Sequence, residues 1–265
     1  MRLSEKKAAL ENIIRGCGSL LVSYSGGIDS TLLAVLAHTI LGKNSRAVFL
    51  DSPLVPDVER DAAIRFAREY GLWLDIIWIP VAEDQAFLEN PPNRCYTCKK
   101  ISIERVKEAA IRSGISCIAD GSNASDLSEH RPGMQASSEG GILHPFIMAG
   151  ISKEEIRELA REIGIPSWGK PSSACLASRI PYGEAITVPR LRMIDAAENF
   201  LASKGFSQAR VRLHGDIARI EVTEKDLELV MGFRSEIVRK FQEIGIRYIT
   251  LDLAGYRSGS MDEFL

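Results

Sequence analysis

The chain carries no excess of either charge. Its 33 Lys and Arg stand against 35 Asp and Glu, a formal net charge of −2, so there is no global basic signature for nucleic acid. Residues 187–265 are just as balanced, with 12 basic and 12 acidic side chains, and so lack the basic face of a tRNA-binding appendage. Long apolar runs are missing too. The longest, Leu32 to Leu41, includes His38 and is too short to span a bilayer. The first residues, Met-Arg-Leu-Ser-Glu-Lys-Lys, lead into a mixed amphipathic segment without an apolar h-region, so no signal peptide is expected. Cysteines number only five; an odd count argues against a disulfide scaffold and for a reducing cytoplasm with some thiols kept for chemistry. The four histidines (His38, His130, His144, His214) are scattered and only one C-x₂-C occurs, so a tetrahedral zinc site is not spelled out. What remains is the composition of an ordinary soluble protein, long enough at 265 residues for a large domain, alone or with a small one.

Residues 20–31 organise the rest. Leu20 to Tyr24 is a short apolar run of the length of a buried parallel strand. Ser25-Gly26-Gly27 breaks it, and Thr31 to Leu41 is apolar at helical spacing. Glycines let a backbone approach an anion closely, and unpaired N–H groups at a helix start point toward it. Ser25 and Ser30 add hydroxyls, while Asp29 is a poor phosphate contact but a good Mg²⁺ ligand. The loop has no lysine, so it is not a Walker A motif. A formal Gly-x₄-Gly-Lys at Gly164 to Lys170 follows a helix-like segment and has Pro171 where Ser or Thr is required; it is a coincidence.

The chain then alternates strand and helix. Arg46–Leu50 and Leu72–Ile79 read as strands with the helix Val55–Tyr70 between them, and Ser116–Ala119 as a fourth strand, with Cys117 in the core. A doubly wound α/β sheet is the economical architecture. Ligands bind beyond the carboxyl ends of such strands, which singles out Asp51 and Ser52, and the loop Asp120-Gly121-Ser122-Asn123-Ala124-Ser125-Asp126. A helix cap is an equal alternative for Asp51 and Ser52. Cys95 and Cys98 stand where a proline-marked loop meets a helix over Thr97–Arg112, a geometry suited to metal, cluster or redox chemistry. Ser152 and Glu155 form a capping box for a helix over 152–163. The stretch Pro171 to Gly183 holds Cys175 and Arg179. Cys175 is either a packed loop residue or a reactive thiol, whose pKa Arg179 could lower while attracting an anion. From about residue 187 the texture changes to a small α+β domain, with a hairpin turn at Gly215-Asp216. Arg210, Arg212 and Arg219 alternate with apolar residues there and are either solvated charges or a phosphate or carboxylate site. The expected domains are 1–186 and 187–265.

Ser25-Gly26-Gly27-Ile28-Asp29-Ser30 resembles the PP-loop of the ATP pyrophosphatase superfamily. Together with Asp120 to Asp126, Arg131-Pro132-Gly133, Cys175 to Gly183 and Arg212 to Val222, it makes the whole chain resemble the LarE family of ATP-dependent sulfur transferases. The resemblance implies that MgATP adenylates a carboxylate of pyridinium-3,5-biscarboxylic acid mononucleotide, and that a sulfur nucleophile displaces AMP to give a thiocarboxylate for a nickel-pincer nucleotide cofactor. It implies that Ser25, Gly26, Gly27, Asp29, Ser30, Asp51, Ser52, Asp120 and Asn123 bind the nucleotide, with Asp29 on Mg²⁺, and that Ser178, Arg179 and Arg212 meet the substrate. Two sulfur sources fit the family: Cys175 giving up its own sulfur, or a [4Fe–4S] cluster on Cys95, Cys98 and Cys175 with one open iron. The three-cysteine count favours the cluster. A homo-oligomer is implied. The partner is a small nucleotide, with neither nucleic acid nor membrane. The competing readings are a tRNA thiolase, an amide-forming PP-loop synthetase and a non-catalytic ATP- or cluster-binding sensor.

Overall fold

The computed structural model describes residues 1–128, 132–166, 174–257 and 260–261. Arg131 of the Arg131-Pro132-Gly133 motif and residues 167–173, which include Lys170 and Pro171, lie outside them. In chain order the elements begin α1 (Leu3–Gly16), β1 (Leu20–Tyr24), α2 (Ile28–Leu41), β2 (Ser45–Asp51), α3 (Asp57–Glu69) and β3 (Leu74–Trp78). Then come α4 (Gln85–Leu88), α5 (Arg94–Ser113), β4 (Cys117–Ala119), α6 (Pro132–Glu139), α7 (Pro145–Met148) and α8 (Lys153–Glu162). The chain finishes with α9 (Val188–Ser203), β5 (Ala209–His214), β6 (Ile217–Val222), α10 (Leu227–Gly232), α11 (Arg234–Ile244) and β7 (Tyr248–Leu251). Among the described residues no helix is long and apolar enough to cross a membrane.

Two compact units result. The first comprises Met1–Ser52, Glu59–Val81 and Asn93–Ser173; the second comprises Pro53–Val58, Ala82–Pro92 and Ala174–Leu265. A boundary at residue 187 would separate Cys175 from the C-terminal elements, whereas these units group them.

The first unit is the doubly wound α/β layer expected from the sequence. Its four strands run in the order β3-β2-β1-β4 and are all parallel. β1 is flanked by strands on both sides and covered on both faces, which is why its sequence is a nearly unbroken apolar run. On one face Leu21, Val48 and Ile118 meet Ile103, Val106, Ala109 and Ala110 of α5. On the other, α2 packs on β1 and β2 and is flanked by α1 and α8. Buried on most sides, α2 is apolar nearly all round. β3 is an edge strand with Ile76 and Trp78 exposed, and it stops short of the expected Leu72–Ile79 span.

In the second unit β5 and β6 are antiparallel, joined at Gly215 with φ +55°, and β6 pairs with β7 in parallel. Val211, Ala218, Ile220 and Val222 line one face with Ala197, Leu201, Ile237 and Phe241 from α9 and α11. The period of two puts Arg210, Arg212, Arg219 and Glu221 on the other face, with Arg212 opposite Arg219 and Arg210 opposite Glu221.

Asn90, with no exposed surface and φ +58°, is the pin of this unit. Its Nδ2 lies 2.7 Å from Pro181 O, 2.9 Å from Glu184 O and 3.3 Å from Ile180 O, and its carbonyl accepts from Gly183 N at 3.0 Å. Asn tolerates the left-handed backbone better than Ala, and its removal leaves buried carbonyls without donors. Asn90→Ala is expected to destabilise the protein by about 2 kcal/mol or more, read as a lower urea midpoint. An unchanged midpoint would contradict this role.

Candidate active site

The glycine loop is built by its own hydroxyls. Ser25 N–H donates to Ser30 Oγ at 3.0 Å, the two serine hydroxyls lie 3.1 Å apart, and Ser30 Oγ donates to Gly27 O at 3.1 Å. Gly26 has φ +75°, and a Cβ there would stand 2.7 Å from Ala63 Cβ of α3, so only glycine fits. Ser25 and Gly27 are exposed at the start of α2. The arrangement leaves an open backbone turn at the carboxyl end of β1, the place where parallel sheets bind ligands.

The loop after β4 lies against it. A Cβ on Gly121 would stand 2.7 Å from Ser30 N and 2.9 Å from Asp29 C, so the 120–126 loop touches the first turn of α2 through a second glycine. Within that loop Asn123 is buried; its Oδ1 accepts from Ser125 N and its N–H donates to Asp126 Oδ2, each at 3.0 Å. Asn123 thus shapes the turn that sequence reasoning gave to the nucleotide. Asp51 ends β2, half-buried, and Ser52 is buried directly after it.

Asp120 is 5% exposed. His144 Nδ1 is 2.8 Å from its Oδ1, Ser122 N–H donates to Oδ1 at 3.1 Å, and Lys99 Nζ and Ser137 Oγ donate to Oδ2 at 2.9 and 3.2 Å. Burial opposes the charge, but His144 and Lys99 outweigh it and hold the carboxyl well below the usual carboxylate range. Lys99 and His144 escaped the sequence reading because nothing local links residues 21 and 24 positions away to Asp120.

Asp29, read as the Mg²⁺ ligand, is held on both oxygens by Lys153 Nζ at 2.7 and 2.5 Å. Lys153 N–H donates to Ser125 Oγ at 3.1 Å, tying α8 to the 120–126 loop. The expected capping box is present: Glu155 N–H donates to Ser152 Oγ and Ser152 N–H to Glu155 Oε2. Lys153 also escaped the sequence reading, although it left a signal. A lysine opening a helix faces the positive end of the dipole, so another partner must hold it there.

Cys95 and Cys98 sit in the first turn of α5, the first exposed and the second half-buried. Helix start falls at Arg94, earlier than the expected Thr97, so both thiols are helical and stand three residues apart on one face. The next residue, Lys99, reaches Asp120. Cys17 and Cys117 adjoin elsewhere in the unit, with Cys117 Sγ 3.8 Å from Cys17 O. Burial, and hydrogen bonding with the Cys117 thiol, push the Cys17 thiol up to about 11, making it a poor nucleophile. Among the described residues no group of three or more His, Cys, Asp or Glu side chains could hold one metal ion.

In the second unit Cys175 is exposed, which removes the packed-loop alternative. Arg179, four residues on, does not face an anion as expected. It is 1% exposed and lies bidentate on Glu198 of α9 at 2.9 and 3.0 Å. Its place as a substrate contact is corrected by the presence of that carboxylate, 19 residues away in sequence. Arg212 is likewise buried, donating to Glu221 Oε2 at 3.1 Å, Ser178 O at 2.9 Å and Ser260 Oγ at 3.2 Å. It is therefore not a solvated edge charge. Arg210 is more open, 5.6 Å from the Tyr256 ring, and burial together with neighbouring Arg179 lowers its pKa. Ser178 Oγ donates to Cys175 O at 2.9 Å.

Residues 3–109 match the family described as NAD synthase. The sequence is 38% identical over 265 residues to an uncharacterized protein of Synechocystis, covering 98% of each chain. It is 37% identical over 264 residues to the pyridinium-3,5-bisthiocarboxylic acid mononucleotide synthase of Lactiplantibacillus plantarum, covering 99% of this chain and 96% of that one. A shorter likeness, 27% over 164 residues, joins it to a glutamine-hydrolyzing GMP synthase of Thermococcus kodakarensis; it takes in 57% of this chain and 52% of the relative.

The Asp120 cluster predicts a pH signature. A depressed folded-state pKa stabilises the fold fully above the unfolded carboxyl value near ~4 and progressively less as pH falls toward the folded value. Asp120→Asn is expected to be less stable than wild type by roughly 3 kcal/mol at pH 7, with the gap narrowing between about pH 4 and pH 2. Urea unfolding across pH measures it; a gap constant with pH would contradict the assignment.

Proposed function

The chain belongs to the LarE family of PP-loop ATP pyrophosphatases, and on that premise we propose that it is an ATP-dependent sulfur transferase acting on pyridinium-3,5-biscarboxylic acid mononucleotide. One observation carries the reading. The open glycine turn, the Asp29–Lys153 pair and the 120–126 loop converge in the first unit, while the second presents an exposed cysteine. The first set suits a nucleotide triphosphate and its Mg²⁺, and the second suits a sulfur nucleophile.

A substrate carboxylate oxygen attacks the α-phosphorus of ATP, and pyrophosphate leaves with the electrons of the broken P–O bond. The acyl adenylate then has AMP as leaving group, which a carboxylate alone lacks. A sulfur nucleophile adds to the carbonyl carbon and AMP departs; with hydrosulfide the products are the thiocarboxylate and a proton. Ser25, Gly26, Gly27 and Ser30 would hold the leaving pyrophosphate through N–H and O–H donors. Asp29 would hold Mg²⁺, with Lys153, released from Asp29, supplying the cation that the loop itself lacks. Asp51, Ser52, Asp120 and Asn123 would line the nucleotide side, Asp120 through the ammonium of Lys99.

For the sulfur source, the thiol set fits a cluster: Cys95 and Cys98 share one helical face and Cys175 adds a third ligand, itself exposed. A [4Fe–4S] cluster on these three would supply a sulfide as the nucleophile. The second source is favoured by Cys175 standing exposed in a different unit from the C-x₂-C pair. Its thiolate would form a thioester, and loss of the Cα proton would break the Cβ–Sγ bond, leaving thiocarboxylate and dehydroalanine. Either route suits a reducing cytoplasm.

Anaerobic purification with iron and sulfide analysis separates them. About four irons per chain, lost together with multiple turnover in Cys95→Ser, establish the cluster route; an iron-free protein whose Cys175 is lighter by one H₂S after one turnover establishes the other. Under both, Cys175→Ser releases pyrophosphate but forms no thiocarboxylate, and a Cys175→Ser protein that still makes product would overturn the proposal. Lys153→Met is expected to raise the KM for ATP at least about tenfold, and an unchanged value would remove Lys153 from the phosphate site.

A further inference from the structure

We infer that the buried Arg179–Glu198 ion pair is the device that fixes the Cys175 backbone, making both residues positioning groups for sulfur transfer. The inference rests on the sulfur-transfer reading and holds for either sulfur source, since both use the Cys175 thiol.

Every polar atom of the pair is directed at the segment that carries Cys175 or at the wall behind it. Arg179 Nε and Nη2 donate to Glu198 at 2.9 and 3.0 Å, while Nη1 lies 2.8 Å from Ala174 O, 3.0 Å from Cys175 O and 2.9 Å from Ser178 Oγ. Glu198 is itself fixed, because its Oε1 accepts from Val211 N of β5 at 3.0 Å. One guanidinium thus ties the carbonyls of residues 174 and 175 to α9 and β5. The Cys175 carbonyl takes two further bonds, from Ser178 N at 3.0 Å and Ser178 Oγ at 2.9 Å. On the other side of the residue, Leu176 N–H donates to Leu54 O at 2.8 Å. Arg212, anchored by Glu221, closes the same turn through Ser178 O. The backbone is held before and after the Cys175 Cα, yet the side chain is exposed.

Stability alone does not explain such a pair. Removing two charges from water consumes most of their attraction, and well-packed apolar residues hold a loop as firmly. What the planar guanidinium adds is direction: its donors lie in one plane at fixed angles, and lysine does not reproduce them. An exposed thiol that must reach an acyl carbon gains from a backbone that does not move, because small displacements of a reacting group cost large factors in rate.

The test is the amount of thiocarboxylate formed per pyrophosphate released, measured in one preparation with MgATP and the pyridinium biscarboxylate nucleotide. Loss of folded protein lowers both products together and leaves the ratio unchanged, so the ratio reports position rather than folding. In Arg179→Lys it is expected to fall at least about tenfold. Glu198→Asp keeps both charges and withdraws the carboxylate by one methylene; it is the milder variant, expected to fall in the same direction, and it decides if Arg179→Lys yields no soluble protein. Ratios within about twofold of wild type would overturn the assignment, whether or not total activity drops. Wild-type protein that releases pyrophosphate but makes no thiocarboxylate would overturn the sulfur-transfer reading instead.

Discussion

A carboxylate buried at the end of a parallel strand has to be met by donors, and Asp120 gathers them from four places. Lys99 comes from α5, Ser137 from α6, His144 from the residue before α7, and Ser122 from its own loop. Because each bond is needed to offset desolvation, the carboxylate draws these elements to the carboxyl end of β4. Gly121 then follows directly against the first turn of α2, and Ser125 reaches the start of α8. The glycine turn, the acidic side chain beside it and the lysine that holds that side chain all take their positions from this arrangement. The C-x₂-C pair shares it, since Cys98 precedes Lys99 on the same helix.

The second unit solves a different problem by a similar means. There the buried charges are Arg179 with Glu198, and Arg212 with Glu221, the last with no exposed surface. Both arginines extend past their carboxylates to main-chain carbonyls of residues 174–178. Asn90 does the same for residues 180–184 with a neutral amide. The short segment around Cys175 is therefore held by side chains rather than by a sheet or a long helix. That leaves its thiol accessible while its backbone is fixed, and on the proposed function it separates phosphate chemistry on one unit from sulfur chemistry on the other.

Much of this was legible in the sequence where a feature is set by its neighbours along the chain. Leu20–Tyr24 is a strand over the residues expected, because burial on both faces writes an apolar run that nothing else explains. The Ser152–Glu155 capping box and the Gly215 turn are local motifs and lie where they were read. Edges were less legible: β3 is shorter than its apolar run because Trp78 is an exposed residue on an edge strand, not part of a core. Partners distant in sequence were not legible. Arg179 beside Cys175 has the local signature of an anion site, and only Glu198 on α9 shows that its charge is already matched. Lys153, Lys99 and His144 were invisible for the same reason, although a lysine at a helix start was a usable clue.

The central claim is that the substrate carboxylate is activated by transfer of the AMP group. It is tested most directly by labelling both carboxylates of pyridinium-3,5-biscarboxylic acid mononucleotide with ¹⁸O, incubating it with the protein, MgATP and a sulfide source, and weighing the products by mass spectrometry. The account predicts that each thiocarboxylate formed is matched by one AMP carrying a single ¹⁸O, with none in pyrophosphate. Label in inorganic phosphate, or thiocarboxylate formed alongside unlabelled AMP, would contradict it.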